Sequence, residues 1–407
     1  MADPIIVIGA GQAGASLVAK LRALGYGGSL LLLGDEPVLP YQRPPLSKKY
    51  MSGEFTVDRL LIRAPSWYEE QKVETRLSAP VSAILPRDRL VALSDGSMLR
   101  YSKLALTTGS RPRTLPDAVG GNLAGVFTVR GLADADSIMP IFLPGRKLLV
   151  IGGGYIGLEA AAVASTKGLD VTLIEMADRI LQRVAAPMTS DYFRALHTRH
   201  GVTIREATGL DALVGKEGRL VGARLKDGTR LDADLAIVGI GIHPNDGLAA
   251  DAGLIVENGI HVDGQCRTSD PDIFAAGDCA SFSWRGVRTR LESVQNAVEQ
   301  AEHAAAAMLG AAGDYDPVPW FWSDQYDVKL QIAGLNRGYT DTVLRPGKRE
   351  LSQSVWYYRG EELIAVDAMN DALAYGIGKK VLEARRSIPK AAVGDPSVEL
   401  KTWLTAS

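Results

Sequence analysis

Residues Ile5 to Gly14, IIVIGAGQAG, specify the fold of the N-terminal region. A short apolar run precedes Gly9, Gly11 and Gly14, and an Ala/Leu-rich segment with helical periodicity follows as far as Gly25. In such a strand–turn–helix unit the first glycine permits a tight turn, the second lets the backbone approach a pyrophosphate, and the third lets helix and strand pack closely. The helix N-terminus offers free N–H groups to the anion. The stretch therefore predicts a dinucleotide site.

An acid follows the next predicted strand. The apolar run from Leu30 to Leu33 ends before Gly34-Asp35-Glu36, about 20 residues beyond the glycines, where a ribose hydroxyl needs an acceptor. Asp35 is preferred over Glu36 as that acceptor, by a small margin.

The same unit recurs in the middle of the chain. Leu148 to Ile151 is predicted to be a strand, GGGYIG at residues 152–157 its glycine turn, and the strand after the helix ends at Glu175. A glycine turn without a ligand would explain one such motif, but two complete units favour two bound nucleotides. The residues assigned to the second nucleotide, NAD, are Gly152, Gly154, Tyr155, Ile156, Gly157 and Glu175.

The carboxylate of Glu175 bears on the choice of nicotinamide cofactor. It accepts a hydrogen bond from a free 2'-hydroxyl, whereas a 2'-phosphate would face it as a like charge, at a cost of about 1 to 4 kcal/mol at about 4 Å. NADH is therefore preferred over NADPH. Arg179 and Arg183 lie close by in sequence and could weaken the discrimination.

Composition excludes several other classes of protein. The chain has 407 residues, 46% hydrophobic and 23% charged, which predicts a multidomain globular protein. Its net charge of −2 argues against a nucleic-acid partner. Cys266 and Cys279 are the only cysteines and lack the spacing of a redox pair or metal site, so no metal is expected. No apolar stretch is long enough to span a membrane and no signal sequence precedes the first strand, so a cytoplasmic location is expected.

Two further segments resemble motifs of the pyridine-nucleotide flavoprotein oxidoreductases. Residues 268–278, TSDPDIFAAGD, are similar to the pattern T-x-x-x-x-[IV]-[FY]-A-x-G-D, and residues 107–112, TTGSRP, to the linking pattern A-T-G-x-x-P with Thr in place of Ala. The resemblance implies an α/β fold with two Rossmann-like nucleotide-binding domains, as in glutathione reductase, and a C-terminal α+β interface domain. The implied divisions are a discontinuous FAD-binding domain at 1–112 and 244–315, an NAD-binding domain at 113–243, and a C-terminal domain at 316–407.

Residues 41–50, YQRPPLSKKY, narrow the resemblance. Disulfide reductases of this superfamily carry a redox cysteine pair near this part of the chain, and the NADH peroxidase group a single cysteine, but this segment has none. It resembles the R-P-P-L-S-K motif of the NADH-dependent ferredoxin reductases of bacterial cytochrome P450 and ring-hydroxylating dioxygenase systems, and residues 290–297 and 319–326 extend the likeness. That resemblance implies an NADH:ferredoxin oxidoreductase that passes electrons through FAD to a small acidic [2Fe-2S] ferredoxin.

The family roles transfer to individual positions of this chain. Without the resemblance, Val81 would be interpreted as a core residue and Arg130 as a surface arginine. The FAD contacts that it implies are Gly9, Gly11, Ala13, Gly14, Asp35, Arg43, Lys48, Val81, Arg130, Asp278, Val294 and Trp322.

Lys48 and Glu159 are the predicted catalytic pair. The resemblance places Lys48 beside the flavin N5, and Glu159, on the helix of the second glycine unit, is expected to pair with it and tune the flavin. The alternative for Glu159 is an acid favoured near a helix N-terminus by the macrodipole. A helix is predicted from Val294 to Leu309, with its positive end at the flavin pyrimidine. Trp322 is a candidate for the electron exit path.

Two other functions are compatible with the sequence. The same fold could deliver electrons to rubredoxin, to oxygen or to a quinone. A flavin-binding signalling protein related to apoptosis-inducing factor belongs to a different class, against which the 407-residue length without a long basic insertion argues.

Overall fold

The structure is a computed structural model that describes residues 3–311 and 313–405. It divides into two compact units, which we describe one at a time. The first comprises Met1–Gln42, Thr56–Arg111 and Ile242–Pro317, and the second Arg43–Phe55, Pro112–Gly241 and Val318–Ser407.

The main sheet of the first unit contains five parallel strands. Ile5–Ile8 lies at its centre and pairs with Leu30–Leu33 on one side and Lys103–Leu106 on the other. Every residue of these first two strands is buried, as expected for parallel strands covered on both faces by helices. Val73–Arg76 and Ile273–Ala275 form the two edges.

The helices of the first unit are Gln12–Ala23, Val57–Leu60, Pro65–Glu70, Gly247–Asp251 and Val294–Met308, with a 3-10 turn at Pro86–Asp88. Its remaining strands are Val81–Leu85, Leu90–Leu93, Met98–Arg100, Ser110–Pro112, Ile242–Pro244, Ile260–His261, Ala280–Trp284 and Val287–Thr289. We call Gln12–Ala23 the first glycine helix.

The second unit repeats the parallel arrangement. Its first sheet has the strand order Thr203–Arg205, Asp170–Ile174, Lys147–Ile151, Leu235–Val238, Val126–Phe127, all parallel. A three-stranded antiparallel sheet accompanies it, made of Leu210–Lys216, Arg219–Leu225 and Arg230–Asp232. Its helices are Leu132–Ile138, Tyr155–Thr166 and Pro187–Arg199, with 3-10 turns at Asp117–Val119 and Met139–Ile141 and a π-helix at Leu46–Tyr50. We call Tyr155–Thr166 the second glycine helix.

The C-terminal part of the second unit is an antiparallel sheet with helices. Its strand order is Trp320–Gln325, Val328–Gly334, Glu362–Met369, Gln353–Arg359, Asp341–Pro346. Helices Ala372–Glu383, Lys390–Gly394 and Thr402–Thr405 follow it. The fold class predicted from the sequence, two Rossmann-like parts and a C-terminal α+β part, is therefore confirmed. Within the described residues, no helix is long and apolar enough to cross a membrane.

Candidate functional site

The glycine turn of the first unit has the geometry that its spacing predicts. Gly9 has a φ of 112°, and a Cβ there would lie 2.2 Å from the carbonyl oxygen of Thr107. A Cβ on Gly14 would lie 2.1 Å from the carbonyl oxygen of Gly9, where the first glycine helix meets its strand. Around Gly11 a Cβ would meet no atom within 4 Å. Internal packing thus requires the first and third glycines, whereas the second faces open space.

The glycine turn of the second unit reproduces these features. Gly152 has a φ of 107°, and a Cβ there would lie 2.4 Å from the carbonyl oxygen of Gly239. A Cβ on Gly157 would lie 2.1 Å from the carbonyl oxygen of Gly152. Gly154 has no atom within 4 Å of its Cβ position. The chain therefore contains two turns of the same construction, each open at its middle glycine.

Both glycine helices begin without a side-chain cap. Gly11 and Gly154 are the N-cap residues, neither N-cap has a side-chain hydrogen bond, and neither first turn contains an acid. Unpaired N–H groups at a helix N-terminus attract an anion. An open middle glycine beside them fits a dinucleotide pyrophosphate. Ile156, in the first turn of the second glycine helix, is 45% exposed.

The acids at the ends of the second strands have different environments. Asp35 is exposed, whereas Glu36 accepts a hydrogen bond from the hydroxyl of Tyr41 at 2.6 Å. Glu175 accepts from the backbone N–H of Gly153 at 2.7 Å and of Ala177 at 2.8 Å. The carboxylate of Glu175 is therefore held against the glycine turn that it is predicted to serve.

The two arginines that follow Glu175, Arg179 and Arg183, also have different contacts. Arg179 donates to the hydroxyl of Ser190 at 2.6 Å, so its guanidinium is held by the following helix. The Nη2 atom of Arg183 lies 3.8 Å from the Cβ position of Gly241, near the side chain of Arg113. Arg183, rather than Arg179, therefore lies near Gly241, which follows the strand Leu235–Val238.

Among the predicted FAD residues of the first unit, Asp278 lies on a segment close to Ala13. Its carboxylate accepts from the hydroxyl of Ser110 at 2.8 Å. A Cβ on the preceding Gly277 would lie 3.1 Å from that of Ala13, so the first glycine helix reaches this segment. Val294 begins the helix Val294–Met308, one residue shorter than predicted, whose N-cap Ser293 accepts from its first turn. Val81 is half-buried at the start of its strand.

The remaining predicted FAD residues, Arg43, Lys48, Arg130 and Trp322, belong to the second unit. Arg43 donates to the backbone carbonyl of Arg130 at 3.1 Å, so these two positions lie together. Trp322 is half-buried, and its ring centroid is 5.7 Å from that of Trp320.

Lys48 and Glu159 form an ion pair, with 2.8 Å between Nζ and Oε2. Their side chains are 18% and 9% exposed. Lys48 departs from helical geometry inside the π-helix Leu46–Tyr50, with φ −135° and ψ −105°. The hydroxyl of Tyr50 anchors that segment by donating to Asp136 at 2.7 Å. An irregular backbone thus presents a lysine to a buried carboxylate on the second glycine helix.

Further polar residues around Glu159 were not identified from the sequence. Ser47 donates to Oε2 of Glu159 at 3.2 Å, and Ser323 donates to Oε1 at 2.7 Å. Gln325 contacts Ser323, and His197 contacts Gln325. Burial lowers the pKa of His197 to about 4, which keeps its ring neutral. The only local signal of these contacts in the sequence is the placement of Ser323 and Gln325 two residues apart, on one face of a strand.

Tyr155 lies beside this cluster. Its ring centroid is 4.9 Å from that of Phe321, and its buried hydroxyl has no hydrogen-bond partner within residues 3–311 and 313–405. Burial raises the pKa of Tyr155 well above its ordinary value, so the phenol stays protonated.

The cysteines have the environment of inert core residues. Cys266 and Cys279 are free and buried, and burial raises the pKa of both thiols. No group of three or more potential metal ligands occurs among the residues that the structure describes.

The chain is similar over its whole length to known reductases. The family described as Pyridine nucleotide-disulphide oxidoreductase matches residues 3–301, and Reductase C-terminal matches residues 320–404. A ferredoxin–NAD(P)(+) reductase of Sphingomonas sp is 42% identical, over 99% of this chain and 98% of the relative. Putidaredoxin reductase of Pseudomonas putida is 40% identical, over 100% and 97%. The crystal structure of the covalent putidaredoxin reductase–putidaredoxin complex matches with a TM-score of 0.96 at 40% identity, covering 100% of this chain and 99% of that one.

Proposed function

The chain belongs to the pyridine nucleotide-disulphide oxidoreductase family, and we propose that it is an NADH:ferredoxin oxidoreductase. Electrons would pass from NADH through FAD to a [2Fe-2S] ferredoxin that supplies a cytochrome P450 or a ring-hydroxylating dioxygenase. One NADH would reduce two ferredoxins, with release of NAD⁺ and one proton. Since NADH is an intracellular reductant, we also propose a cytoplasmic location.

One observation supports this acceptor more than any other. In the segment where disulfide reductases carry redox cysteines, this chain carries Lys48, ion-paired with Glu159. Cys266 and Cys279 are both buried, with pKa values raised by burial, which makes them poor carriers of electrons. Electrons that reach the flavin would therefore pass directly to a separate acceptor.

The residues of the two glycine turns would hold the nucleotides. We propose that FAD is bound by the residues that the sequence assigned to it, namely Gly9, Gly11, Ala13, Gly14, Asp35, Arg43, Lys48, Val81, Arg130, Asp278, Val294 and Trp322. NADH would bind to Gly152, Gly154, Tyr155, Ile156, Gly157 and Glu175. Bound FAD would accept two electrons as a hydride and release them one at a time. The proposed domains are 1–112 with 244–315 for FAD, 113–243 for NAD, and 316–407 as the C-terminal domain.

The protein's own contribution to hydride transfer is positioning and electrostatics. We propose that the Lys48 ammonium donates a hydrogen bond near the flavin N5, and that Glu159 fixes the position of that ammonium. The first turn of the helix Val294–Met308 contains no acid, so its positive end is available to stabilise charge on the reduced flavin.

The test is anaerobic stopped-flow reduction of the FAD-loaded protein by NADH and, separately, by NADPH. The reduced protein is then mixed with an oxidised [2Fe-2S] ferredoxin or with oxidised rubredoxin. Fast flavin bleaching by NADH and rapid onward transfer to the ferredoxin are expected. Faster transfer to rubredoxin would reassign the acceptor, and bleaching without transfer to either protein would refute the carrier function.

A further inference from the structure

A continuous chain of hydrogen bonds runs from Glu159 into the core of the second unit. Ser323 donates to Oε1 of Glu159 at 2.7 Å, and Nε2 of Gln325 lies 3.1 Å from Oγ of Ser323. Oε1 of Gln325 is 2.8 Å from Nε2 of His197, and Nδ1 of His197 is 3.3 Å from the hydroxyl of Tyr326. We call Ser323, Gln325 and His197 the buried relay.

The direction of every bond in the buried relay follows from the carboxylate. An ionised Glu159 can only accept, so the hydroxyl of Ser323 must donate to it. The Ser323 oxygen then accepts from the Gln325 amide N–H, which turns the Gln325 carbonyl toward His197. That carbonyl also only accepts, so His197 carries its proton on Nε2 and accepts on Nδ1. All the donors therefore point toward Glu159.

The residues of the buried relay are inaccessible to solvent. Ser323, Gln325 and His197 are all 0% exposed. At such positions a polar side chain costs free energy unless its partners are present, so each bond constrains the next. The outer end is fixed as well, because Tyr326 has a left-handed φ of 55° and its ring stacks on His200 at 3.7 Å.

The two oxygens of Glu159 have separate partners. Oε2 faces Lys48 and Ser47, whereas Oε1 accepts from Ser323. Rotation of the carboxylate would remove Oε2 from the lysine. Ser323 therefore opposes rotation from one side while Lys48 and Ser47 oppose it from the other.

We propose that the buried relay positions the Glu159 carboxylate, so that the Lys48 ammonium is held in one place and the reduction potential of the flavin depends on Ser323. These are positioning residues, since they act through Glu159. The inference rests on the proposed function, in which Lys48 contacts the flavin.

The decisive variant is Ser323→Ala, which removes the donor and leaves almost no cavity. We expect a measurable shift in the midpoint potential of bound FAD. We also expect the rate of flavin reduction by NADH to decrease about fivefold, which corresponds to the free energy of one ordinary hydrogen bond. Ser323→Thr keeps a hydroxyl and should restore both values. Gln325→Leu, of similar volume, should shift them in the same direction as Ser323→Ala.

Ser354→Ala is the matched control. Ser354 is fully buried in the same C-terminal sheet, but its oxygen accepts from the indole of Trp356 at 3.0 Å and takes no part in the relay. The thermal midpoint and the flavin spectrum of each variant show whether it is folded and loaded. Ser354→Ala should leave the flavin potential unchanged even if it destabilises the fold.

A double-mutant cycle with Glu159→Ala separates positioning from a structural role. If Ser323 acts through Glu159, Ser323→Ala should shift the potential no further once Glu159 is absent. An equal shift in both backgrounds would overturn the inference, as would no shift for Ser323→Ala while Glu159→Ala shifts the potential.

If the proposed function is wrong, these experiments give a different result. In that case Glu159→Ala itself leaves the potential unchanged, and the inference is then judged on the infrared carboxylate band of Glu159, identified by its loss in Glu159→Ala. A displaced band in Ser323→Ala, restored in Ser323→Thr, would support positioning of the carboxylate. An unmoved band would refute it.

Discussion

Replacing the middle and first glycines of the second turn should separate nucleotide binding from folding. Gly154 has φ −80° and ψ 179°, which any residue can adopt, and its Cβ position is free of atoms within 4 Å. Gly154→Ala should therefore change the free energy of unfolding by less than about 1 kcal/mol, since the weaker N-cap is offset by a stiffer unfolded chain. The added methyl group instead occupies the space that we assign to the pyrophosphate.

The effect on NADH binding follows from the contacts that the methyl group prevents. Loss of one hydrogen bond to a charged phosphate costs about 1.5 to 3 kcal/mol, which corresponds to about a tenfold to hundredfold weaker affinity. Gly152→Ala is the contrasting variant. Its φ of 107° and a Cβ 2.4 Å from the carbonyl oxygen of Gly239 combine a left-handed backbone with a clash against main chain. A positive φ alone costs about 1 to 2 kcal/mol.

The assay uses the FAD-loaded protein. The dependence of the flavin reduction rate on NADH concentration gives the affinity, and denaturant unfolding gives the stability. We expect Gly154→Ala to keep the stability and the flavin spectrum of the parent while binding NADH weakly, and Gly152→Ala to lose stability. Unchanged NADH affinity in Gly154→Ala, or a loss of stability as large as that of Gly152→Ala, would refute the assignment of the middle glycine to the pyrophosphate.

Two other predictions concern buried and cofactor-facing charges. Glu175→Gln should raise the ratio of kcat/KM for NADPH over NADH by about fivefold or more, because a like charge opposite the 2'-phosphate is removed. Burial raises the pKa of Asp367 to about 6, so this residue should cost stability progressively as pH rises from about 4 to 6, by about 3 kcal/mol in all. Burial lowers the pKa of His197 to about 4, so this residue should cost a similar amount as pH falls from about 6.5 to 4. Since the two effects oppose each other, Asp367→Asn should make the free energy of unfolding fall more steeply as the pH decreases, and His197→Gln should make it fall less steeply. Urea unfolding between pH 4 and 7 measures both effects. Parallel curves for both variants and the parent would contradict this prediction.

The elements predicted most accurately are those specified by neighbouring residues. A fully buried parallel strand such as Ile5–Ile8 has a continuous apolar sequence, and the glycine that ends it has to tolerate a positive φ. The same reasoning applied to Leu148–Ile151, which lies within the observed strand Lys147–Ile151. Helix Val294–Met308 was predicted to within one residue because its apolar periodicity is local.

Contacts between distant segments could not be predicted in this way. Glu159 is bound by residues 47, 48 and 323, which come from two other parts of the sequence, and no spacing rule connects a serine in a β-strand to a carboxylate on a helix. The π-helix that presents Lys48 is also invisible to a pattern of apolar periodicity. The resemblance to a family identified Lys48, but it gave no partner for Ser323 or Gln325.

In the strand Trp320–Gln325 the sequence drew attention to only one of the two faces. Successive side chains alternate between the two faces of a sheet, so Trp320 and Trp322 share one face, while Ser323 and Gln325 share the other. Tryptophans are conspicuous in a sequence, whereas a serine and a glutamine are ordinary surface residues until their burial is known. Both are fully buried here, and a buried polar group is retained only where its partners stabilise it. The partner is a carboxylate paired with Lys48, so the face with the less conspicuous residues is the one that contacts the proposed catalytic pair.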